Sequence, residues 1–232
     1  MIGSVKNQLR VTRAAKLPKR AKTFRVSGKR GLSTLLEIYQ GLSGFNASTL
    51  GLVGYKTTYG EVAEQGIKVL SEKFSHHGSL EKYPENQRTF YDLGCGIGRL
   101  NLGIAILHPE IKSKGIEIVP DRVRQAHHAI ERLKVKQITQ RIQITHGSFL
   151  DPSVNFGDAC WIFVSNLCYD DNVQKAISNK LETECKNNCI IICSRDLPLS
   201  EKSPLKKIEY GVNVAMTWSN TSMCVIYRYT SI

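Results

Sequence analysis

The stretch Thr89-Phe90-Tyr91-Asp92-Leu93-Gly94-Cys95-Gly96-Ile97-Gly98 decides the fold of this 232-residue chain. Its first five residues are mostly apolar or aromatic and predict a short buried strand. The glycines that follow predict a tight turn that lets a ligand approach the backbone closely. A helix is expected from Arg99 onwards, because Leu100, Ile104 and Leu107 share one helical face. Strand, glycine turn and helix in this order are typical of a nucleotide-binding loop.

Strands and helices alternate along most of the remaining chain. Helices are predicted at 33–40, 59–74, 99–108, 121–133 and 172–184. Further strands are predicted at 114–119, 141–149, 159–165, 189–193, 207–218 and 223–229, the last two joined by a turn at 219–222. This order predicts an α/β fold: a doubly wound, Rossmann-like, mostly parallel seven-stranded sheet with helices on both faces and a C-terminal antiparallel hairpin.

The net charge of +12 is concentrated at the N-terminus. Residues 1–31 contain no Asp or Glu and ten basic residues, which are Lys6, Arg10, Arg13, Lys16, Lys19, Arg20, Lys22, Arg25, Lys29 and Arg30. The other 201 residues carry 22 basic and 20 acidic side chains. We therefore expect a flexible basic arm over 1–31, a helical and loop region over 32–85 that forms a lid, and a catalytic domain over 86–232.

Three interpretations of the basic arm remain open. Residues 6–30 could bind DNA or RNA, with the stretch 16–22 serving as a nuclear import signal. An acid-free, Arg-rich N-terminus is also typical of a cleaved mitochondrial transit peptide, and a solvated tail would favour solubility. A nuclear location is our first expectation and a mitochondrial one the alternative.

Composition excludes several classes of protein. Hydrophobic residues make up 41% of the chain, which is enough for a core and argues against disorder. No run of eighteen apolar residues occurs, so we expect no membrane span. The seven cysteines lack the spacing of zinc or iron–sulfur ligands, and Cys185, Cys189 and Cys193 are expected to be reduced core thiols.

Two acids next to the predicted strand ends indicate what the glycine loop binds. The loop lacks the Lys-Ser/Thr of a phosphate-binding loop, and Asp92 beside it suits a ligand with a positive amino group. Glu117 ends the next strand, where a carboxylate can accept both hydroxyls of a ribose. The glycine loop with its leading acid resembles the first motif of class I S-adenosylmethionine methyltransferases, and Glu117 supports this resemblance.

The ends of the next two strands complete the candidate site. Ser148 stands where such enzymes commonly place an acid for the adenine amine, and Phe149 could cover the base. Asn166, in the stretch 163–169, could bind the cofactor or orient the incoming nucleophile.

The order of motifs is similar to one family. In this order the chain resembles the disruptor-of-telomeric-silencing family of non-SET histone-lysine methyltransferases. The motifs that carry the resemblance are Tyr59-Gly60-Glu61, the glycine loop, Gly115-Ile116-Glu117, Gly147-Ser148-Phe149-Leu150 and Val164-Ser165-Asn166. The resemblance runs from about 55 to 196, with a weaker similarity at 214–229.

The resemblance implies a role for each matching residue. Tyr59, Gly60 and Glu61 would close over S-adenosylmethionine, and Asn166 and Trp218 would lie at the methyl-transfer centre and the lysine channel. The other implied cofactor residues are Asp92, Gly94, Cys95, Gly96, Gly98, Glu117, Ser148 and Phe149. The chain departs from the family pattern at Val62, often Thr, and at Val225, where a channel Tyr is expected.

The resemblance implies a histone-lysine methyltransferase with a nucleosome or histone as partner. A methyltransferase for RNA or for another protein remains an alternative, because a basic arm suits RNA equally well. A chromatin-binding module with a vestigial cofactor site is the alternative without enzyme activity.

Overall fold

The computed structural model describes residues 28–49, 52 and 57–231. Most of the predicted basic arm therefore lies outside the described residues. Helix α1 begins at Gly28, so residues 28–31 belong to a helix and not to the arm. Among the described residues, no helix has the length and apolar character needed to cross a bilayer.

The elements follow the alternation that the sequence predicts. The helices are α1 (Gly28–Ile38), α2 (Glu64–His77), α3 (Arg99–Leu107), α4 (Pro120–Leu133), α5 (Lys136–Thr139) and α6 (Asp171–Glu184). The strands are β1 (Thr89–Leu93), β2 (Lys112–Glu117), β3 (Ile142–His146), β4 (Ala159–Val164), β5 (Ile190–Cys193), β6 (Leu205–Met216) and β7 (Ser219–Tyr229).

One seven-stranded sheet has the order β3-β2-β1-β4-β5-β7-β6. Strands β1 to β5 are parallel, and β7 is antiparallel to both β5 and β6. The predicted fold class is thereby confirmed. The chain runs from β1 outwards to β2 and β3 and then crosses back to β4, so the topological switch point lies between β1 and β4. Ligands of open α/β sheets bind at such a point.

The central strands are buried on both faces, which explains their almost continuous apolar sequence. Trp161 and Phe163 of β4 face the core beneath α1, α2 and α3, whereas Ile162 and Val164 face the core that includes α6. Phe74 of α2 stacks on Trp161 with ring centroids 5.2 Å apart. Helices α1 and α2 thus share the main core, although the sequence assigns them to a separate lid region.

The closing hairpin is tighter than predicted. Strand β7 begins at Ser219, which pairs with Met216, so only Thr217 and Trp218 connect the two strands. The predicted turn at 219–222 is wrong. Its polar residues suggest a turn, but they lie at half-buried and exposed positions of a strand, and antiparallel strands need only a two-residue connection.

Candidate functional site

The glycine loop between β1 and α3 is held in one shape. Gly94, Gly96 and Gly98 have φ values of 85°, 58° and 76°, a left-handed region that side chains disfavour. The backbone N–H groups of Gly94 and Cys95 both donate to the carbonyl of Ile116, over 2.8 and 3.1 Å. The end of β2 therefore fixes the turn that begins the site.

The side chain of Cys95 is buried. It packs in a small apolar cluster with Val123, Ala126 and Ile144. We therefore expect Cys95 to contact the cofactor through its backbone.

Two carboxylates lie buried beside this loop. Asp92 is 5% exposed and Glu117 is 4% exposed. Burial, and secondly the charge of Glu117, raise the pKa of Asp92 to about 8. Glu117 accepts hydrogen bonds from the backbone N–H groups of Gly96 and Val119, each over 2.8 Å. Such a pair of acids favours a ligand that brings positive charge and hydrogen-bond donors.

A cavity of about 340 Å³ opens in front of these groups, at the carboxyl ends of the strands. Its size lies at the lower end of the range typical of small-molecule sites. The sequence-predicted residues that line it are Tyr59, Gly60, Gly94, Glu117, Ser148, Phe149 and Trp218. Asp92, Glu61 and Cys95 line a smaller recess that shares Tyr59, Gly60, Gly94 and Trp218 with the cavity.

The turn after β3 forms another wall of the cavity. The Ser148 hydroxyl accepts a hydrogen bond from the Leu150 N–H over 3.1 Å. The ring of Phe149 lies against that of Tyr169, with centroids 5.7 Å apart. An apolar and aromatic wall of this kind suits a flat base.

Tyr59 reaches the glycine loop from the upstream segment. Its hydroxyl donates to Glu61 over 2.5 Å and accepts from the Ile97 N–H over 3.4 Å. Glu61 in turn accepts a hydrogen bond from Arg99, the first residue of α3, over 2.9 Å. A Cβ at Gly96 would lie 2.5 Å from the Tyr59 ring, so glycine is required for this approach.

Trp218 lies at the tip of the hairpin and meets the same motif. It is 46% exposed and packs against Gly60 at the edge of the cavity. Leu167, 50% exposed, lies on the same cavity wall as Cys168. The cavity thus has a partly apolar and exposed rim.

Among the predicted site residues, Gly96, Gly98 and Asn166 line neither the cavity nor the smaller recess. The two glycines shape the loop, whereas Asn166 has other partners. Its side chain is fully buried and bonds Gln174 and the backbone of Arg195. The adjacent Ser165 lines the cavity instead. Residues 165 and 166 follow a buried strand. The sequence pattern therefore predicts that this segment belongs to the site, but it does not determine which side chain faces the cavity.

Two arginines of the site were missed in the sequence. Arg99 bonds Glu61, and Arg122 lines the cavity while 95% of its surface is buried. The position of Arg99, directly after the glycine loop, is a signal that could have found it. Arg122 has no such local signal, because the partners to which it donates hydrogen bonds, Gly44 and Thr57, lie far away in the sequence.

Residues 53–220 match the family described as "Histone methylation protein DOT1". The chain belongs to the DOT1 family. This match spans more than half of the chain, and it confirms the resemblance seen in the order of motifs. Members of the DOT1 family use S-adenosylmethionine.

Two further comparisons find a protein-lysine methyltransferase similar in sequence and a methyltransferase with the same fold. A protein-lysine N-methyltransferase of Saccharolobus islandicus (strain REY15A) is 32% identical over 96 residues, which are 41% of this chain and 55% of that protein. The chain thus matches about half the length of this relative. A methyltransferase from Geobacter sulfurreducens, 14% identical, superposes with a TM-score of 0.54 over 85% of this chain and 88% of that one, and it shows the same fold.

The residues of this DOT1-family site fit S-adenosylmethionine. Within the described part of the chain, no hydrogen-bond donor lowers the pKa of buried Asp92, so its carboxylate is suited to the amino group of the methionine moiety. The backbone bonds of Glu117 leave lone pairs free for a ribose diol. Phe149 and Tyr169 would hold the adenine.

Proposed function

We propose that this chain is an S-adenosylmethionine-dependent protein-lysine N-methyltransferase that acts on a core histone lysine in chromatin. The observation that carries the proposal is the placement of Trp218 and the motif Tyr59-Gly60-Glu61 between a cavity lined by Glu117 and a recess lined by Asp92. Family membership supports methylation of a histone, and the archaeal relative supports a lysine acceptor by its name.

When bound, the cofactor supplies a methyl group already activated by a sulfonium. The work left to the protein is alignment of the amine and exclusion of water. The cavity includes the apolar or aromatic side chains of Leu167, Tyr169 and Trp218. A lysine that enters here would be desolvated, which lowers its pKa and favours the neutral amine that can react.

The tyrosines of the site do not act as general bases near neutral pH. Burial raises the pKa of Tyr59, and the charge of Glu61 raises it further. Burial and the nearby Glu117 also raise the pKa of Tyr169. Both phenols therefore stay protonated. The Tyr59 hydroxyl donates its proton to Glu61, whereas the Tyr169 hydroxyl can donate to the substrate or the cofactor.

The decisive experiment is methyl transfer with a labelled cofactor. The full chain would be incubated with nucleosomes, free histones, RNA and cell extract, and the labelled residue identified by mass spectrometry. We expect label on a histone lysine. Label on lysines of other proteins alone would refute the histone substrate, and label only on RNA would refute the lysine acceptor.

A variant with a blocked glycine loop tests whether labelling depends on the proposed site. Gly96→Arg places a side chain on a left-handed residue and against Tyr59, and it should abolish labelling. Equal labelling by the variant and the native chain would refute the site assignment. Absence of cofactor binding by the native chain would favour a chromatin-binding module with a vestigial site.

We propose further that the basic residues within 6–30 bind DNA, or RNA, near the substrate, and that the protein acts in the nucleus. The support is the sequence, which has ten cations and no acid in residues 1–31. Contacts to phosphates give affinity that depends strongly on salt. A mitochondrial location would instead leave a shortened mature N-terminus, which mass spectrometry of the endogenous protein would detect.

A further inference from the structure

Arg122 of α4 contacts four parts of the site. Its Nε donates to the carbonyl of Gly44 over 3.2 Å, and its Nη2 donates to that of Thr57 over 2.8 Å. Its Nη1 lies 3.8 Å from Oε1 of Glu117. The centre of the guanidinium lies 4.2 Å from the centroid of the Tyr59 ring.

A buried arginine needs such a set of partners. The side chain is only 6% exposed, and the desolvation of its charge must be offset by hydrogen bonds and opposite charge. A planar guanidinium can bond two carbonyls and stack on a ring at once, which the point charge of lysine cannot do. The contacts of Arg122 therefore require arginine in particular.

The partners of Arg122 come from separate places in the chain. Gly44 and Thr57 precede it by 78 and 65 residues, whereas Glu117 ends the strand just before its helix. Arg122 thus connects the backbone of Gly44 and Thr57 to the carboxylate of Glu117, which would bind the ribose. Its contact with Tyr59 extends this connection to the glycine loop.

Gln125, one helical turn further along α4, continues the same contact. Its side-chain amide donates to the Ser43 carbonyl over 3.1 Å and accepts from the Ser43 N–H over 2.7 Å. Arg122 and Gln125 therefore form hydrogen bonds with the backbone of Gly44 and of the adjacent Ser43, respectively. The upstream segment is held by specific polar contacts in addition to apolar packing.

We propose that Arg122 is a positioning residue that couples cofactor binding at Glu117 to the placement of Tyr59 and its neighbours over the glycine loop. The inference rests on the proposed function, since it assumes that Glu117 binds the ribose. A ligand on Glu117 then favours the arrangement in which Arg122 also bonds Gly44 and Thr57. Order at 57–61 becomes a consequence of cofactor binding.

The test compares the native chain with Arg122→Lys and Arg122→Ala, using S-adenosylhomocysteine as the probe. Calorimetry gives its affinity, and hydrogen exchange reports on residues 43–48, 57–61 and 94–98 with and without the probe. Loss of one or two charge-assisted hydrogen bonds is expected to weaken probe binding by about 10- to 100-fold, also in the lysine variant. Without probe, exchange at 43–48 and 57–61 should already be faster in both variants.

The coupling itself is read from the pattern of protection. In the native chain the probe should slow exchange at both 57–61 and 94–98. In the Arg122 variants at saturating probe it should slow exchange at 94–98 alone. A purely structural role would lower stability without separating the two segments, so equal protection of both segments in the variants would overturn the proposal.

Arg124→Ala is the matched control. This arginine lies on the same helix, its side chain is 69% exposed, and it pairs with Asp121 of its own helix. Its loss removes the same charge and should leave probe affinity and the protection pattern unchanged. If the native chain does not bind the probe, the proposed function fails. If it binds and Arg122→Lys behaves like the native chain, only the coupling fails.

Discussion

Gly60 and Trp218 fit together so closely that a Cβ atom at residue 60 would lie 1.9 Å from Cζ3 of the indole ring. Backbone hydrogen bonds fix the same contact, because the Thr217 N–H donates to the Glu61 carbonyl over 2.8 Å. The Glu61 N–H also donates to the Thr217 hydroxyl over 3.0 Å. The tip of the β6–β7 hairpin and the upstream motif thus form one wall of the cavity.

Gly60→Ala is expected to displace Trp218 and to reduce methyl transfer by at least about tenfold, because a misplaced site wall costs alignment of the acceptor. The fold should survive, since Trp218 is partly exposed and can move. Steady-state kinetics with varied acceptor and melting temperatures would measure the two effects.

A double-mutant cycle separates this clash from other causes. In a Trp218→Ala background the added methyl group of Gly60→Ala has no indole to meet, so it should cause little further loss. Gly157→Ala, outside the cavity residues, is the control and should keep full activity. Additive losses from Gly60→Ala and Trp218→Ala would contradict the steric explanation.

Asp92 makes cofactor affinity depend on pH. Its pKa is raised to about 8 by burial and by Glu117, so in the free protein it is largely protonated at pH 6 and gains charge towards pH 8. Because the anion attracts the amino group of the cofactor, affinity should rise over this range. Asp92→Asn should bind about 10- to 100-fold more weakly at pH 8 and lose this dependence. Calorimetry in buffers from pH 6 to 8.5 tests this, and a flat profile for the native chain would refute it.

The same carboxyl should lower the stability of the free protein at high pH. Its folded pKa lies above the unfolded one, so the folded state binds the proton more tightly and loses stability as pH rises from about 4 through 8. Asp92→Asn cannot ionise and should be more stable than the native chain at pH 8.5 by on the order of a few kcal/mol. The difference should vanish near pH 4. Urea unfolding at both pH values would measure it, and equal stability at pH 8.5 would contradict the raised pKa.

The sequence predicted what depends on local pattern. Neighbouring residues set the buried strand that contains Asp92, the glycine turn and the position of Glu117 at a strand end, so periodicity and turn chemistry found them. The partners of Arg122 could not be predicted, because its contacts to Gly44 and Thr57 depend on tertiary packing. The hairpin turn was misplaced for a related reason, since strand pairing overrides the turn preference of polar residues.

Removal of residues 1–27 should separate nucleic-acid binding from cofactor binding. The truncated chain keeps all described residues and loses eight of the ten N-terminal cations. Its affinity for DNA or nucleosomes should fall and should depend less on salt. The slope of log affinity against log salt concentration should become shallower by up to about 0.9 for each phosphate that the removed cations neutralise. Cofactor affinity should stay unchanged. Titrations at several salt concentrations test this, and an equal salt slope in both chains would refute binding by this segment.

Asn166 is expected to stabilise the fold and not to bind the cofactor. Its amide donates to Gln174 over 2.8 Å and to the Arg195 carbonyl over 3.0 Å, and its oxygen accepts from the Arg195 N–H over 2.9 Å. Asn166→Ala leaves these buried partners unsatisfied and should cost about 2–4 kcal/mol of unfolding free energy. Cofactor affinity of the folded variant should change by less than about threefold, because the side chain does not line the cavity.

Gln174→Ala is the matched variant for this prediction. Gln174 is 2% exposed, lies in α6 outside the cavity residues, and donates to the Asn166 carbonyl over 2.6 Å. A structural role for Asn166 means that both variants lose stability to a similar extent and keep cofactor affinity. Normal stability of Asn166→Ala together with loss of methyl transfer would place this residue at the reacting centre, as the resemblance implies. Denaturant unfolding, calorimetry and methyl transfer on the same preparations distinguish the two outcomes.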